Sequence, residues 1–414
     1  MSTIHHTYGP HVDRRYAWNA LALSYAPWAY VQGKGTDKLK KKLREQFKMD
    51  AVLFGSGREA LLALLRALEV RPGEEIIVQG YTCVVVPNAI HAAGALPIYA
   101  DIDPDTLNLS AETVQPLITP RTRAIICQHT FGIPADTEAL RALCEQHKIL
   151  LIEDCAHILP DARGPKEIGT KGDYMLLSFG RDKAISGVSG GAILSKDPKV
   201  TGVLRELERT AAYYSFGYVT KLLEYPQRMR CIVRPLAGMP TLLKPILWMM
   251  NKLGLVVPVV TSEEKKGRMS PVLHKIPNAC AVLAYKSLCM LPRLNERRRT
   301  LTGFYLEYGR KRGWPIPAGA VTGLPLQKLP MFTAHASAIR AELKLKNMHL
   351  DDGWTNCVIC PEGTDMDSSE YHWGSDPMAE AACKQVLCLP THPTMTLIEA
   401  QRLARTLDPL LTTH

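Results

Sequence analysis

Between about residues 50 and 195, short and nearly uninterrupted apolar runs alternate with segments of helical periodicity. No other feature constrains the fold as strongly. The runs are AVLF, EEIIVQG, LPIYADI, RAIICQHT, ILLIEDCA, YMLLSFG and GGAILS. Strands that are apolar throughout must be buried on both faces, as in a mostly parallel sheet covered by helices. Between them, REALLALLRALEV puts apolar residues at 61, 62, 64, 65 and 68, one face of a helix. The expected class is therefore α/β, a large domain with a mostly parallel sheet sandwiched by helices.

The rest of the chain divides by composition. Residues 1–35 read as an irregular arm rich in aromatics and prolines, and TDKLKKKLREQFK as a charged surface helix, together an N-terminal segment 1–48. The large domain covers 49–210, and 271–414 reads as a smaller α+β domain. The stretch 211–270 is different. No acidic residue lies between Glu224 and Glu263, while Arg228, Arg230, Arg234, Lys244 and Lys252 supply half of the net charge of +10. It also holds LLKPILWMMNKLGLVVPVV. Two readings stay open for this basic, apolar insertion: a core-facing or subunit-contact helix, or a peripheral membrane patch through 240–260 lying in the headgroup plane. Pro245, Lys252 and Pro258 argue against a span. With no recognition helix and no basic strand interleaved with aromatics, nucleic acid is not an expected partner. The eleven cysteines are scattered, and MSTIHHTYGPHVDRRYAW has no apolar signal-peptide core, so a reduced, cytoplasmic protein is expected, with membrane association as an open addition.

Three pieces of the α/β part suit one cofactor. Gly55-Ser56-Gly57 runs directly into the REALLALL helix. Small residues let backbone N–H groups approach an anion, and a helix N-terminus adds the positive end of its dipole, so a phosphate is the natural guest. Asp154 ends ILLIED, where the carboxyl ends of parallel strands face the ligand crevice. Lys183 follows YMLLSFG and is succeeded by Gly187, Gly190 and Gly191. A phosphate cradle, a carboxylate for a pyridinium nitrogen and a lysine for an aldehyde are what pyridoxal 5'-phosphate requires.

The chain resembles the DegT/DnrJ/EryC1/StrS family, fold-type I pyridoxal-phosphate aminotransferases that aminate keto sugars on nucleotide carriers. Five segments carry the resemblance in order: GSGREAL, GYTCVVVPNAIHAAGALPIYADIDPDTLNLS, LLIEDCAH, SFGRDKAISGVSGGAIL and PMAEAACKQVLCLPTHPTMT. It implies that Lys183 bonds the cofactor's aldehyde carbon and Asp154 pairs with its ring nitrogen. His157 lies beside the phenolic oxygen, and Ser178 touches the phosphate with Ser56, Gly57 and Arg58. It also implies a homodimer, glutamate as the usual amino donor, and a nucleotide-linked keto sugar as acceptor. Lys183, once released, moves the proton between substrate carbon and cofactor.

Two positions depart from the family's pattern. The phosphate turn reads Gly57-Arg58 instead of Gly-Thr, so an arginine either replaces a hydroxyl contact by charge or points to solvent. Cys83 stands where an aromatic often stacks on the ring, so stacking is lost or Tyr81 supplies it. Three other readings are weaker. A dehydratase of the same family would carry His in place of Lys183, and a non-catalytic, membrane-associated member would have no need of Lys183 and Asp154. Gly55-Ser56-Gly57-Arg58-Glu59-Ala60 also satisfies the dinucleotide pattern, but no acid ends the next strand. Cys357-Val-Ile-Cys360 lacks two further ligands at zinc spacing, so no metal is expected.

Overall fold

The computed structural model describes residues 3–6, 13–164 and 168–413. Seven strands form the central sheet: β1 (Asp50–Phe54), β2 (Glu75–Gln79), β3 (Leu96–Ala100), β4 (Thr122–Gln128), β5 (Leu150–Asp154), β6 (Tyr174–Ser178) and β7 (Gly191–Ser195). Their spatial order is β1-β7-β6-β5-β4-β2-β3, and only β7 runs against the others. All seven coincide with the apolar runs of the sequence. Val52, Phe54, Ile76, Val78, Ile126, Ile152 and Ile193 pack on one face, in one cluster with the leucines that follow the GSG turn. Leu53, Met175, Leu177 and Leu194 pack on the other. Each such side chain, fully buried, stabilises the fold by about 1.5–3 kcal/mol, so the two covered faces hold the sheet.

Of the arm 1–35, residues 1–2 and 7–12 lie outside the described residues, and 13–35 are less irregular than the sequence reading has them. Helix α1 (Arg14–Ser24) starts at Asp13, whose side chain accepts from the Tyr16 N–H at 2.7 Å. Its buried stripe is Ala17, Ala20 and Ser24. Such small residues carry little hydropathy, so their helical spacing is easy to miss. The charged helix follows as α2 (Gly35–Phe47), and α3 (Gly57–Ala67) leaves the glycine turn.

The 211–270 stretch folds largely as helices, α4 (Phe216–Arg228) and α5 (Pro240–Lys252) among them. Val219, Leu222, Leu223 and Tyr225 of α4 join the same core as Ala20, Leu39 and Leu43. By contrast, α5 leaves Leu242, Trp248 and Met249 at least half exposed. No helix among the described residues is long and apolar enough to cross a membrane. Helices α6 (Asn278–Cys289) and α7 (Leu291–Arg310) lead to a smaller antiparallel pair, β8 (Lys328–Phe332) with β9 (Val386–Pro390), and to the last helix α8 (Leu397–Thr413). A separate apolar cluster built on α7, β8, β9 and α8 holds this region together.

Candidate active site

The strand order places the candidate residues together. β1, β5 and β6 end on the same edge of the sheet, where Asp154 pairs in register with Gln128 and Leu176, and Ser178 with Gly191. The GSG turn leaves β1 at that edge. Ser56 caps α3, its Oγ accepting from the Glu59 N–H at 3.3 Å. The turn lies hard against the sheet: a Cβ on Gly57 would stand 3.0 Å from the Ser178 Cβ, and one on Gly191 2.5 Å from the Gly57 Cα. Glycine is required at both positions for this approach. It brings the first turn of α3, whose N–H groups have no partner within the helix, beside Ser178.

A cavity of about 400 Å³ opens here, lined by Ser56, Gly57, Arg58, Cys83, Asp154, His157, Ser178 and Lys183. Eight of the nine candidate positions thus face one space. Lys183 sits in the β6–β7 connection, which is tied at its base by Phe179 N–H to Gly190 (2.8 Å) and Gly187 N–H to Phe179 (2.9 Å). Asp154 Oδ1 accepts from the Ala156 N–H at 2.9 Å, and only 5% of the residue is exposed. Burial pushes its pKa up, against the pull of that hydrogen bond and of Lys183 and His129.

His157 is oriented by its surroundings. Its Nδ1 accepts from the Phe131 N–H at 3.2 Å, which leaves the ring proton on Nε2. The ring lies parallel to Phe131 at 6.0 Å and edge-on to Trp354 at 5.0 Å. Burial, then the nearby Lys183, Lys328 and His129, holds it well below the usual histidine range, so it stays neutral. Burial likewise raises the Cys83 thiol, outweighing Lys183 and Arg58, so it is not a thiolate.

Tyr81 is the exception and corrects the stacking expectation. It lies outside the cavity wall, fully buried, with its hydroxyl donated to the Trp354 carbonyl at 2.5 Å and its ring edge-on to Phe131 and Trp354. Aromatic packing and a satisfied hydroxyl hold it away from any ring in the cavity. Arg58 lines the cavity, but its guanidinium pairs with Glu264 and donates to the Val259 carbonyl at 2.5 Å. Its charge is already engaged inside the protein, in neither of the two ways considered above. Burial opposes that charge, but Glu264 outweighs it and holds the arginine above its usual range.

The sequence reading missed Gln128, Tyr214, Trp354, the Val257–Thr261 segment and Glu264, all on the cavity wall. Gln128 ends RAIICQHT at the same sheet edge as Asp154 and was within reach of a topological argument. The others come from 60 to 200 positions beyond Asp154 and carry no local motif. Glu264 is the anchor of the Val257–Thr261 segment, since its other oxygen accepts from the Thr261 N–H (2.7 Å) and hydroxyl (2.9 Å). Removing one partner of a buried ion pair strands the other, so Glu264→Gln is expected to lower stability by about 3 kcal/mol. Urea unfolding of the cofactor-free protein measures it; an unchanged midpoint would show that the pair carries nothing.

The cysteines of the Cys357–Cys360 pair are both buried, with sulfurs 3.5 Å apart. Residues 19–232 match the sequence profile of the DegT/DnrJ/EryC1/StrS aminotransferase family. The GDP-perosamine synthase of Vibrio cholerae is 32% identical over 203 residues, 49% of this chain and 55% of that protein. An enzyme of Acidithiobacillus ferrooxidans, UDP-N-acetyl-3-dehydro-alpha-D-glucosamine 3-aminotransferase, is 33% identical over 175 residues, 41% of this chain and 47% of its own. The chain thus spans about half the length of the curated relatives it matches. Among solved structures, ntda from Bacillus subtilis, with bound cofactor PMP, superposes with a TM-score of 0.75 at 19% identity, covering 100% of this chain and 86% of that one. Helicobacter pylori PseC, an aminotransferase of pseudoaminic acid biosynthesis, gives 0.75 at 17% identity, with 100% of both chains covered. These two likenesses establish the fold, and the expected fold-type I α/β architecture stands. With more than half of its length under the family profile, the chain belongs to the DegT/DnrJ/EryC1/StrS aminotransferase family.

Proposed function

We propose that this protein is a pyridoxal-phosphate-dependent aminotransferase that moves an amino group from an amino acid, glutamate the expected donor, to a nucleotide-linked keto sugar. One observation carries the reading: Lys183, Asp154 and the capped N-terminus of α3 open on a single cavity. The residues present fit the cofactor. Gly57 is pressed against Ser178 so closely that a side chain would fill the cradle, and a desolvated carboxylate stands at the strand end. The cofactor, when bound, takes up the electrons released as the substrate C–H bond breaks and carries the amino group between donor and acceptor.

The chain's own residues do the rest. Ser56, Ser178 and the first N–H groups of α3 bind the phosphate. Asp154 would keep the pyridine nitrogen protonated, and the His157 Nε2–H would be the donor to the ring's phenolic oxygen. Lys183 Nζ would hold the group through its aldehyde carbon and, when free, would hold and return the proton of the substrate carbon. Val257–Thr261, tied down by Glu264 and Arg58, walls the space on the substrate side. The sugar acceptor is supported by the activities named for the two curated relatives.

Reconstituted with pyridoxal phosphate, the protein is expected to be yellow. Glutamate alone is expected to bleach it while one equivalent of 2-oxoglutarate is released per site. A colour that neither glutamate nor any other α-amino acid changes would overturn the proposal. The same sample is expected to have the solution mass of two chains, since Trp18, Tyr25, Trp28 and Phe216 are exposed on neighbouring elements that a second copy would cover.

The exposed face of α5 is assigned to peripheral contact with an anionic membrane. Trp248 is 63% exposed and the Lys252 Nζ lies 4.9 Å over its ring, an aromatic and a cation side by side at the surface. Flotation with phosphatidylglycerol liposomes is expected for the wild type and is expected to be lost in Trp248→Glu. Equal flotation of the two, or none, rejects this assignment.

A further inference from the structure

A second cavity, of about 490 Å³, is walled by six arginines from three parts of the chain: Arg14 and Arg15 of α1, Arg230 and Arg234 just after α4, and Arg293 and Arg297 of α7. One acid, Asp13, lies among them, and it is occupied as the cap of α1. Among the described residues Arg14, Arg15, Arg230, Arg293 and Arg297 form no salt bridge with a carboxylate within 4 Å; Arg297 donates to the Pro393 carbonyl at 2.9 Å. Arg293 and Arg297 stand four apart on one helix, an arrangement that like charges destabilise. Burial already disfavours the charge on Arg234, and Arg230 disfavours it further, against a pull from Glu399. Six guanidinium groups around one space raise its potential for anions, and their planar forks suit phosphate oxygens better than a point charge does.

A smaller cavity of about 230 Å³ adjoins this one and shares Asp13, Arg15, Met290 and Leu294 with it. Tyr16, Leu283 and Tyr285 make the rest of it largely apolar. We propose that the two cavities form one binding site for a phosphate or diphosphate ester with an apolar substituent, the phosphates among the arginines and the substituent against Leu283 and Leu294. The site is separate from the cofactor cavity, with which it shares no lining residue. It is built from the N-terminal arm and the basic insertion together with α7, and it does not rest on the proposed transamination.

Two soluble compounds supply this chemistry from different sources, a nucleoside diphosphate and a short-chain phosphatidylglycerol below its micelle concentration. Calorimetric titration of the cofactor-loaded protein, whose phosphate cradle is already filled, is expected to show saturable binding of inorganic pyrophosphate that weakens as salt is raised. Arg293→Ala/Arg297→Ala and, separately, Arg14→Ala/Arg15→Ala are each expected to weaken it at least tenfold; either pair suffices if the other fails to fold. Lys41→Ala/Lys42→Ala on α2 is expected to bind as the wild type does. Competition then identifies the source: displacement of pyrophosphate by UDP points to a nucleotide, displacement by the short-chain lipid to a headgroup, and either supports the site. No saturable binding of pyrophosphate, arginine variants that bind as tightly as the wild type, or an equal loss in the α2 variant overturns the proposal.

Discussion

Lys183→Ala, loaded with cofactor, is expected to carry no borohydride-reducible bond between chain and cofactor and to turn over roughly 10⁴-fold more slowly than the wild type, a loss of about 5.5 kcal/mol of transition-state stabilisation. The position of Lys183 accounts for the size of the effect. Its backbone is held in a connection anchored at both ends on Phe179, and its side chain opens on the same space as Asp154 and Ser178. In the proposed function one amine is both covalent anchor and proton carrier, so its removal would delete two functions together. The cradle and Asp154 remain, so the variant is expected still to bind pyridoxal phosphate, now without the covalent bond. Methylamine added to the solution is expected to restore part of the rate, because a small amine can enter the space the side chain leaves. Stopped-flow absorbance with glutamate measures both effects. A variant that borohydride cannot link to the cofactor but that keeps wild-type turnover would remove Lys183 from the chemistry while leaving it as an anchor.

Legibility followed sequence distance. The seven strands were readable because each is apolar on both sides, and a parallel sheet between helix layers permits nothing else. Asp154 and Lys183 were readable because strand ends on one edge of such a sheet share a crevice, the turn holding Ser56 because small residues opened a helix, and Ser178 only through the family resemblance. The fate of Arg58 was not. Its neighbours in sequence offer it a phosphate or solvent, whereas the folded chain offers Glu264, 206 residues away, in the segment least like the rest of the protein. Tyr81 was misplaced for a related reason. Its partner Trp354 lies 273 residues on, and a hydroxyl satisfied by a backbone carbonyl leaves no mark in sequence. Helix α1 was hidden by its small buried residues, which pack closely without being strongly apolar. Long-range side-chain pairing is what periodicity and motif spacing do not encode.

Asp154→Asn is expected to move stability and rate in opposite directions, and the pair of signs is the diagnostic. In the cofactor-free protein burial raises the Asp154 pKa, so its folded value exceeds its unfolded one. Stability is then lost as pH rises from the ordinary carboxylate range through the raised value, because the folded state holds the proton longer than the unfolded state does. An amide has no charge to desolvate and can still accept from the Ala156 N–H. The cofactor-free variant should therefore melt above the wild type at neutral pH, with the difference closing as acid protonates Asp154. In the proposed function the carboxylate would face a protonated ring nitrogen once cofactor is bound, and its ionised form would be the one stabilised. Replacing it removes the counter-charge that keeps the ring electron-accepting, and turnover should fall about 10²–10³-fold, roughly 3–4 kcal/mol. A carboxylate serving only as a strand-end cap of Ala156 would show the stability effect alone, with turnover unchanged, since asparagine makes that hydrogen bond equally well. Thermal melts of the cofactor-free pair across pH, set beside single-turnover rates with glutamate, separate the two roles. Unchanged turnover would place the partner of the ring nitrogen elsewhere on the cavity wall.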